Sequence, residues 1–499
     1  MKVLLVYPNL HGMNMLPPAI GIFTGLLKNQ GYEVRLFDTT NWIVPGEEGF
    51  DSDKLKEQNL NARPYDDSVL MSEIRATDVF QDFRYFVQDY APNLIAVSST
   101  EDMFPLGVRL LQGVKDLSIP KLWGGVFPTF APELCLSYDE VDMVCIGEGE
   151  GALLDLCQRL TCGQDYADIQ NIWVKRDGKI IRNPMRAVTD INQNPLVDFS
   201  LFDESRYYRP MQGKVWRMLP VETHRGCPFS CTFCNSPAQR QLYRTNTGCH
   251  FFRKKSLEAI RDEVMYYKNE LKADSLYFWA DMFMAYSDKE LEEFLEMYQD
   301  INLPFWCQVR PEAVREGQIR KLMKAGLFRV GIGIEHGNED FRRNVLKRRM
   351  SNATIIENLA ILNKLDLPFS VNNIIGFPTE TRALAMDTVE LNRALNADSH
   401  NAYSFTPFHG TPLRLLSEEL GYIAPGQIVT SATKPTLLNM PQFPKEEIEG
   451  LRRCFVLYVK MPKERWNDIR LAEANTEAGN RIFEELKEEC REKYLLNWQ

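Results

Sequence analysis

The segment HRGCPFSCTFCNSP, residues 224–237, places Cys227, Cys231 and Cys234 in the spacing Cys-x-x-x-Cys-x-x-Cys. Three thiolates this close in sequence can face one inorganic centre, and the nearby Pro and Gly keep the backbone out of a regular helix. Four cysteines would saturate a 4Fe–4S cluster. Three leave one iron open to an outside ligand, which suits a catalytic cluster rather than an electron carrier. Zinc is the competing reading. It needs a fourth ligand such as His224 or His250, and zinc loops favour Cys-x-x-Cys pairs. Three unrelated buried thiols are the third reading. No second centre is expected: Cys307 reads as a buried structural thiol on a strand, Cys249 lies outside the triad spacing, and Cys135, Cys145, Cys157 and Cys162 are too dispersed.

The elements that must hold this loop follow from periodicity. Between 218 and 412, apolar runs at 218–223, 275–282, 305–309, 328–335, 369–376 and 402–407 alternate with helical stretches such as 256–271, 288–301 and 352–365. Six β/α units predict an open, partial (β/α)6 barrel, in which chemistry sits at the C-terminal ends of the strands. The cysteine loop leaves the first of them. Upstream, residues 1–160 alternate short runs such as VLLV and LIAV with helices, the pattern of a doubly wound parallel sheet. Residues 161–217 read as a linker whose Asp177-Gly178 marks a β-hairpin. A polar segment at 41–90 reads as an insertion or lid, and 413–499 as a mainly helical C-terminal domain.

With Phe233 just before the last cysteine, the loop resembles that of the radical S-adenosylmethionine superfamily, and the resemblance continues strand by strand. FWADMF (278–283) is similar to the second-strand signature ending in an acidic residue, Asp281, and FWCQVRPE (305–312) to the third-strand segment with its arginine, Arg310. GIGIEHGNEDFRRNVLKR (331–348) resembles the fourth-strand motif, IIGFPTET (374–381) the Gly-x-Pro turn containing Gly376, and TPFHGTPL (406–413) the turn after strand six. The resemblance implies a cluster on Cys227, Cys231 and Cys234 whose open iron is chelated by S-adenosylmethionine. Reductive cleavage of that molecule then gives a 5′-deoxyadenosyl radical. Phe233, Asp281, Arg310, Glu335 and Gly376 would surround S-adenosylmethionine, and Lys347 or Arg348 would pair with its carboxylate, for which an arginine fork is better shaped.

The N-terminal domain resembles flavodoxin-like (Rossmann-type) cobalamin-binding domains. Ser98 to Thr100 after the third strand, Gly124-Gly125 after the fourth and GEGEG (147–151) after the fifth are the small-residue turns that let a cofactor approach the backbone. Ser98, Thr100, Glu101, Gly124, Gly125, Phe127, Gly147 and Glu148 are the implied cobalamin contacts. Of the base-replacing motif Asp-x-His-x-x-Gly, only the histidine slot is filled, by His11, so the TEDMF loop (100–104) is the expected floor below cobalt. PNLHGMNM after the first strand is not a dinucleotide fingerprint.

Together these domains resemble the cobalamin-dependent radical S-adenosylmethionine enzymes. That implies a C-methyltransferase acting through methylcobalamin on an unactivated sp³ carbon of a small molecule or of a protein or peptide residue, with a flavodoxin- or ferredoxin-like electron donor. The enzyme alternative is ring formation, ring contraction or carbon–carbon coupling of the lipid or tetrapyrrole type, with or without cobalamin. The non-enzyme alternative is a cobalamin or iron–sulfur carrier. Composition agrees with a soluble globular protein: 499 residues, 44% hydrophobic and net charge −10. The acidic balance argues against nucleic-acid or anionic-membrane partners. No apolar run is long enough to span a bilayer, and no signal peptide is legible, so a cytoplasmic location with reduced cysteines is expected.

Overall fold

A computed structural model describes residues 1–47 and 52–495. In the N-terminal sheet, β1 (Lys2–Tyr7), β2 (Glu33–Asp38), β3 (Leu94–Ser98), β4 (Lys121–Gly124) and β5 (Met143–Cys145) run parallel in the order β2-β1-β3-β4-β5. This is the flavodoxin-like doubly wound order. Val3 and Leu5 of β1 join the core containing Ile20 and Leu27 of the helix Pro18–Asn29. Leu4 and Val6 join Phe83 and Val87 of the helix Val79–Tyr90 on the other face. A strand covered on both sides has no polar face to show, hence the unbroken apolar runs.

β6 (Ile172–Arg176) and β7 (Lys179–Ile181) form a hairpin around Asp177 (φ 49°) and Gly178 (φ 72°), the positive angles a type I′ turn demands. β6 pairs antiparallel with β5, so the hairpin is an outer edge of the N-terminal sheet and not a free connector.

The second sheet starts earlier than the hydrophobic pattern suggests. β8 (Tyr208–Met211) pairs antiparallel with β9 (Lys214–Glu222) through Gln212 (φ 56°) and Gly213 (φ 77°). A two-residue ladder of β10 (His224–Arg225) with β11 (Arg253–Lys254) brackets the cysteine loop. β12 (Ser275–Trp279), β13 (Phe305–Val309), β14 (Leu327–Glu335), β15 (Phe369–Ile375) and β16 (Ser399–Ser404) then follow β9, all parallel and each beside its predecessor. Alternation along each strand decides which side chains see the inside. Leu276, Phe278, Cys307, Val330, Ile332 and Val371 pack in the main core, whereas Trp306, Gln308, Arg329, Asn372 and Asn401 line the interior.

The sheet stays open between its edges, β16 and β8. Residues 61–64 lie in that opening. Arg63 pairs with Asp398 at 2.6 Å, Ser399 Oγ donates to the Asn61 carbonyl, and the Pro64 carbonyl approaches the Gly213 turn. Part of the polar 41–90 segment thus closes the barrel laterally. The C-terminal helices Lys445–Lys460 and Glu477–Tyr494 share a second core through Leu451, Phe455, Val459, Phe483 and Leu486. Among the described residues, no helix is long and apolar enough to cross a membrane.

Candidate functional site

Cys227, Cys231 and Cys234 line one wall of a cavity of about 630 Å³ inside the second sheet, at the C-terminal ends of its strands. Their loop is shaped by backbone and arginine contacts. Gly226 takes φ 85°, and a Cβ there would lie 2.8 Å from the Phe251 ring. Arg240 donates to the Cys227 carbonyl and to Ser230 Oγ, both at 3.0 Å. Arg310 stacks over Phe229 and points Nη1 at Cys231 Sγ, 3.5 Å away. Cys234 caps the helix Asn235–Thr247, its sulfur accepting from the Ser236 N–H at 3.4 Å.

Burial pushes the Cys227 thiol up to about 11 and the Cys234 thiol up to about 12. Thiolates here therefore need a cationic centre to hold them deprotonated. Among the described residues, no three His, Cys, Asp or Glu side chains converge on the position of a single metal ion. His224, the candidate fourth zinc ligand, instead bonds Thr223 Oγ1 at 2.9 Å and stacks on Phe252.

The facing wall carries Glu335 and Arg348. Glu335 ends β14 beyond a register shift and takes φ 72°, a left-handed angle that costs a non-glycine residue about 1–3 kcal/mol. That geometry turns its carboxylate back over Gly333, where a Cβ would sit 2.4 Å from Oε1. Arg348 donates to Glu335 Oε1 at 2.8 Å and to the Gly333 carbonyl at 2.6 Å. Burial raises the Glu335 carboxyl against the pull of Arg348 and Arg310. Beneath them, buried Arg342 donates to the His336, Gly337 and Met350 carbonyls, fixing the chain that returns Arg348 to the cavity.

Phe233, Asp281, Arg310, Glu335 and Arg348 thus line the cavity with the cysteines. Lys347 and Gly376 do not. Lys347 is exposed and donates to the Asn344 carbonyl, because its own left-handed φ of 58° throws the side chain outward. Gly376 builds a turn instead: its N–H and that of Phe377 bond Glu380 Oε2, and its open side faces Ile448.

At the ends of the N-terminal strands the expected residues divide. Ser98 is half-buried, Thr100 is exposed, and the nearest atom to a Cβ on Gly124 is 3.9 Å away, so a group can approach this backbone. Gly125 takes φ 120° beside the Ser99 carbonyl. The other four positions also make contacts within the protein. Glu101 bonds the His409 ring at 2.6 Å, the His409 N–H at 3.0 Å and the Val429 N–H at 3.1 Å. Phe127 is buried between Phe104 and that ring. Gly147 is small because Tyr243 packs against it. Glu148 accepts from Arg225 at 3.0 Å, from Arg253, and from the Thr189 N–H at 2.6 Å.

The matching barrel residues, Arg225, Arg253, Tyr243 and His409, were not singled out from the sequence. Arg225 is held by Glu222, Glu148 and Glu150, the last at 2.6 Å, and stays charged despite its burial. The alternating acids of GEGEG and the basic residues beside the cysteine motif were the available signal.

Comparison with known proteins finds two family models along the chain. Residues 221–391 match the radical SAM superfamily and residues 58–157 match the B12 binding domain. The chain is 23% identical over 396 residues to an uncharacterized methyltransferase of Pyrococcus horikoshii, covering 78% of this chain and 83% of the relative. It is 24% identical over 421 residues to an anaerobic magnesium-protoporphyrin IX monomethyl ester cyclase of Rubrivivax gelatinosus, covering 80% and 72%. The solved radical S-adenosylmethionine methyltransferase TsrM from Kitasatospora setae has the same fold, with TM-score 0.62 and 16% identity over 84% of this chain and 76% of that one. The radical SAM domain implies a 4Fe–4S cluster and S-adenosylmethionine, which the cysteine wall and the Glu335–Arg348 wall fit, and the B12 binding domain implies cobalamin. A B12 binding domain joined to a three-cysteine radical SAM barrel places the chain among the cobalamin-dependent radical S-adenosylmethionine enzymes.

Proposed function

We propose that the protein is a C-methyltransferase that methylates an sp³ carbon of a small molecule held inside the barrel. The observation that carries this reading is one cavity shared by the cysteine triad, the Glu335–Arg348 pair and the polar interior of the sheet. Its volume of about 630 Å³, which the cluster and S-adenosylmethionine would share, suits a small molecule rather than a folded partner. The methyltransferase relatives support methyl transfer as the outcome.

When bound, the cluster and S-adenosylmethionine supply one-electron cleavage and cobalamin supplies a methyl carrier. The chain's own residues bind and orient. Cys227, Cys231 and Cys234 would hold three irons, with the Arg310 guanidinium offsetting thiolate charge at Cys231. Glu335 and Arg348 present an anion and a cation side by side, the complement of an α-amino acid's ammonium and carboxylate. Ser98, Thr100, Gly124 and Gly125 would meet cobalamin. Phe229, Phe233 and Phe408 line the reacting end with apolar surface. The reading includes a flavodoxin- or ferredoxin-like electron donor. It also places the protein in the cytoplasm, where its eleven unpaired cysteines stay reduced.

The test needs no substrate. Anaerobically reconstituted enzyme with excess S-adenosylmethionine, cobalamin and a chemical reductant is expected to form both 5′-deoxyadenosine and S-adenosylhomocysteine. The second product reports methyl transfer. 5′-Deoxyadenosine alone would overturn the methyltransferase assignment and favour ring formation, the reading that the cyclase relative supports.

A further inference from the structure

The end of the cavity away from the cysteines is cationic. Arg63, Arg209 and Arg329 line it, and among the described lining residues Asp398 is the carboxylate there. Arg63 and Arg329 share that carboxylate, at 2.6 and 2.5 Å. Burial would raise Asp398, yet the two arginines hold it below the usual range, so it is already fully used. Arg209 makes no ion pair among the described residues. Its Nη1 is buried without an acceptor, as is Nε of Arg63. Such groups cost free energy unless something accepts from them.

Arg209 is also held in a definite orientation. Tyr277 and Trp306 stack with ring centroids 4.0 Å apart and an interplanar angle of 6°. The guanidinium lies over both rings, 5.6 and 5.2 Å from their centroids. A guanidinium held against aromatic rings keeps its N–H edges for a planar or tetrahedral anion. Gln308, Ser370, Asn372 and Asn401 make the walls polar but neutral.

Resting on the small-molecule reading above, we propose that this floor binds an anionic group of the substrate, a carboxylate or a phosphoryl group, with Arg209 as anchor and Arg63 beside it. Trp306 and Arg310 lie on the same stretch of chain, four residues apart, which is roughly 13 Å at strand rise. An anchored molecule of that reach brings its far carbon to the cysteine end. Substrates are therefore medium-sized organic anions, oriented with the anion away from the cluster.

The test uses reconstituted, S-adenosylmethionine-loaded protein and three probes, phenylphosphate, benzoate and neutral benzamide, followed by titration calorimetry. Saturable binding of one anion is expected, with benzamide at least about 10-fold weaker and Arg209→Gln lowering anion affinity by at least about 10-fold. Arg209→Lys keeps the charge without the fork and should fall between the two. Asp398→Asn frees Arg63 and Arg329 and should tighten the anion several-fold, which a purely structural role for these arginines would not produce. Tighter phenylphosphate than benzoate marks a phosphoryl substrate, and the reverse marks a carboxylate. Equal affinity for anions and benzamide, no anion binding, or unchanged affinity in Arg209→Gln would overturn the proposal. Iron content and S-adenosylmethionine binding, measured on the same sample, report separately on the radical S-adenosylmethionine reading.

Discussion

Two glycines at the ends of the N-terminal strands look alike in sequence and should behave oppositely when replaced. Gly147 takes φ 75°, and a Cβ there would lie 2.4 Å from the Tyr243 hydroxyl, which accepts the Glu148 N–H at 2.7 Å. Gly147→Ala therefore pays about 1–2 kcal/mol for a left-handed alanine, and about 0.5–1.5 kcal/mol more if Tyr243 moves and its hydrogen bond is lost. At roughly 2–4 °C per kcal/mol for a domain of this size, the first thermal transition should fall by about 5–10 °C. Gly124 has no such constraint, since the nearest atom to its Cβ is 3.9 Å away. Gly124→Ala should leave stability unchanged or raise it by about 0.4–1 kcal/mol through the unfolded chain. Yet it puts a methyl where cobalamin would meet the backbone. The assay is differential scanning calorimetry beside cobalt per chain after loading and desalting. Gly124→Ala should lose cobalt at full stability, and Gly147→Ala should lose stability. Full cobalt retention by Gly124→Ala, or an unshifted transition for Gly147→Ala, would refute the division of this edge into an open turn and a docked one.

Cys231→Ala should lose most of its iron and all 5′-deoxyadenosine formation while keeping cobalamin, read by metal analysis and product chromatography; retained cleavage would count against the cluster assignment. Arg225→Gln leaves Glu222, Glu148 and Glu150 without their shared cation, and loss of one partner from a buried pair costs about 3–5 kcal/mol, seen as an early calorimetric transition. Glu290, held down to about 2 chiefly by Lys254 and the Ser287 N–H, contributes stability that is present above its usual value near 4.5 and lost as pH falls toward 2. The melting-temperature gap between wild type and Glu290→Gln should accordingly be widest near neutral pH and fade below about pH 4.5. A gap that stays constant with pH would refute the pairing.

How much was legible depended on whether the deciding contact is local. The parallel strands of the N-terminal sheet could be read because a strand buried on both faces must be apolar throughout, whereas β13 to β16 of the second sheet turn polar side chains such as Gln308, Arg329, Asn372 and Asn401 inward and were legible only from their alternating apolar residues. The β6–β7 hairpin was legible from Asp177-Gly178, but its place on the β5 edge was not, since pairing partners are chosen by tertiary packing. The β8–β9 turn at Gln212-Gly213 was missed because a glutamine gives little turn signal, although it takes φ 56°. The three cysteines stand out through spacing alone. Lys347 and Arg348 are adjacent and chemically alike, and only the left-handed angle at Lys347 sends one outward and the other in. Glu101 and Glu148 lie in turns that small residues make suitable for a cofactor. Their actual partners, His409 and Arg225, are far away in the chain, and one sequence holds no record of such pairings.

Those distant pairings meet at the cysteine loop. Arg225, two residues before Cys227, is bound to Glu148 and Glu150 at the end of the N-terminal sheet. Asn235, directly after Cys234, donates to the His409 carbonyl at 2.6 Å, and the His409 ring is bound to Glu101 of the same sheet. One end of the loop is therefore bound directly to the domain expected to carry cobalamin, and the other is linked to it through His409 of the barrel. A loop tied at one end could rotate about the other; ties at both ends restrict that rotation. Since Arg225 and Glu101 sit in contacts largely sealed from water, these ties resist exchange better than surface ion pairs, which contribute about 0–1 kcal/mol. The acidic side chains at these strand ends thus do positional work: they set where the cysteine loop stands relative to the ends of the N-terminal strands, which matters for a reaction that would be shared between two cofactors.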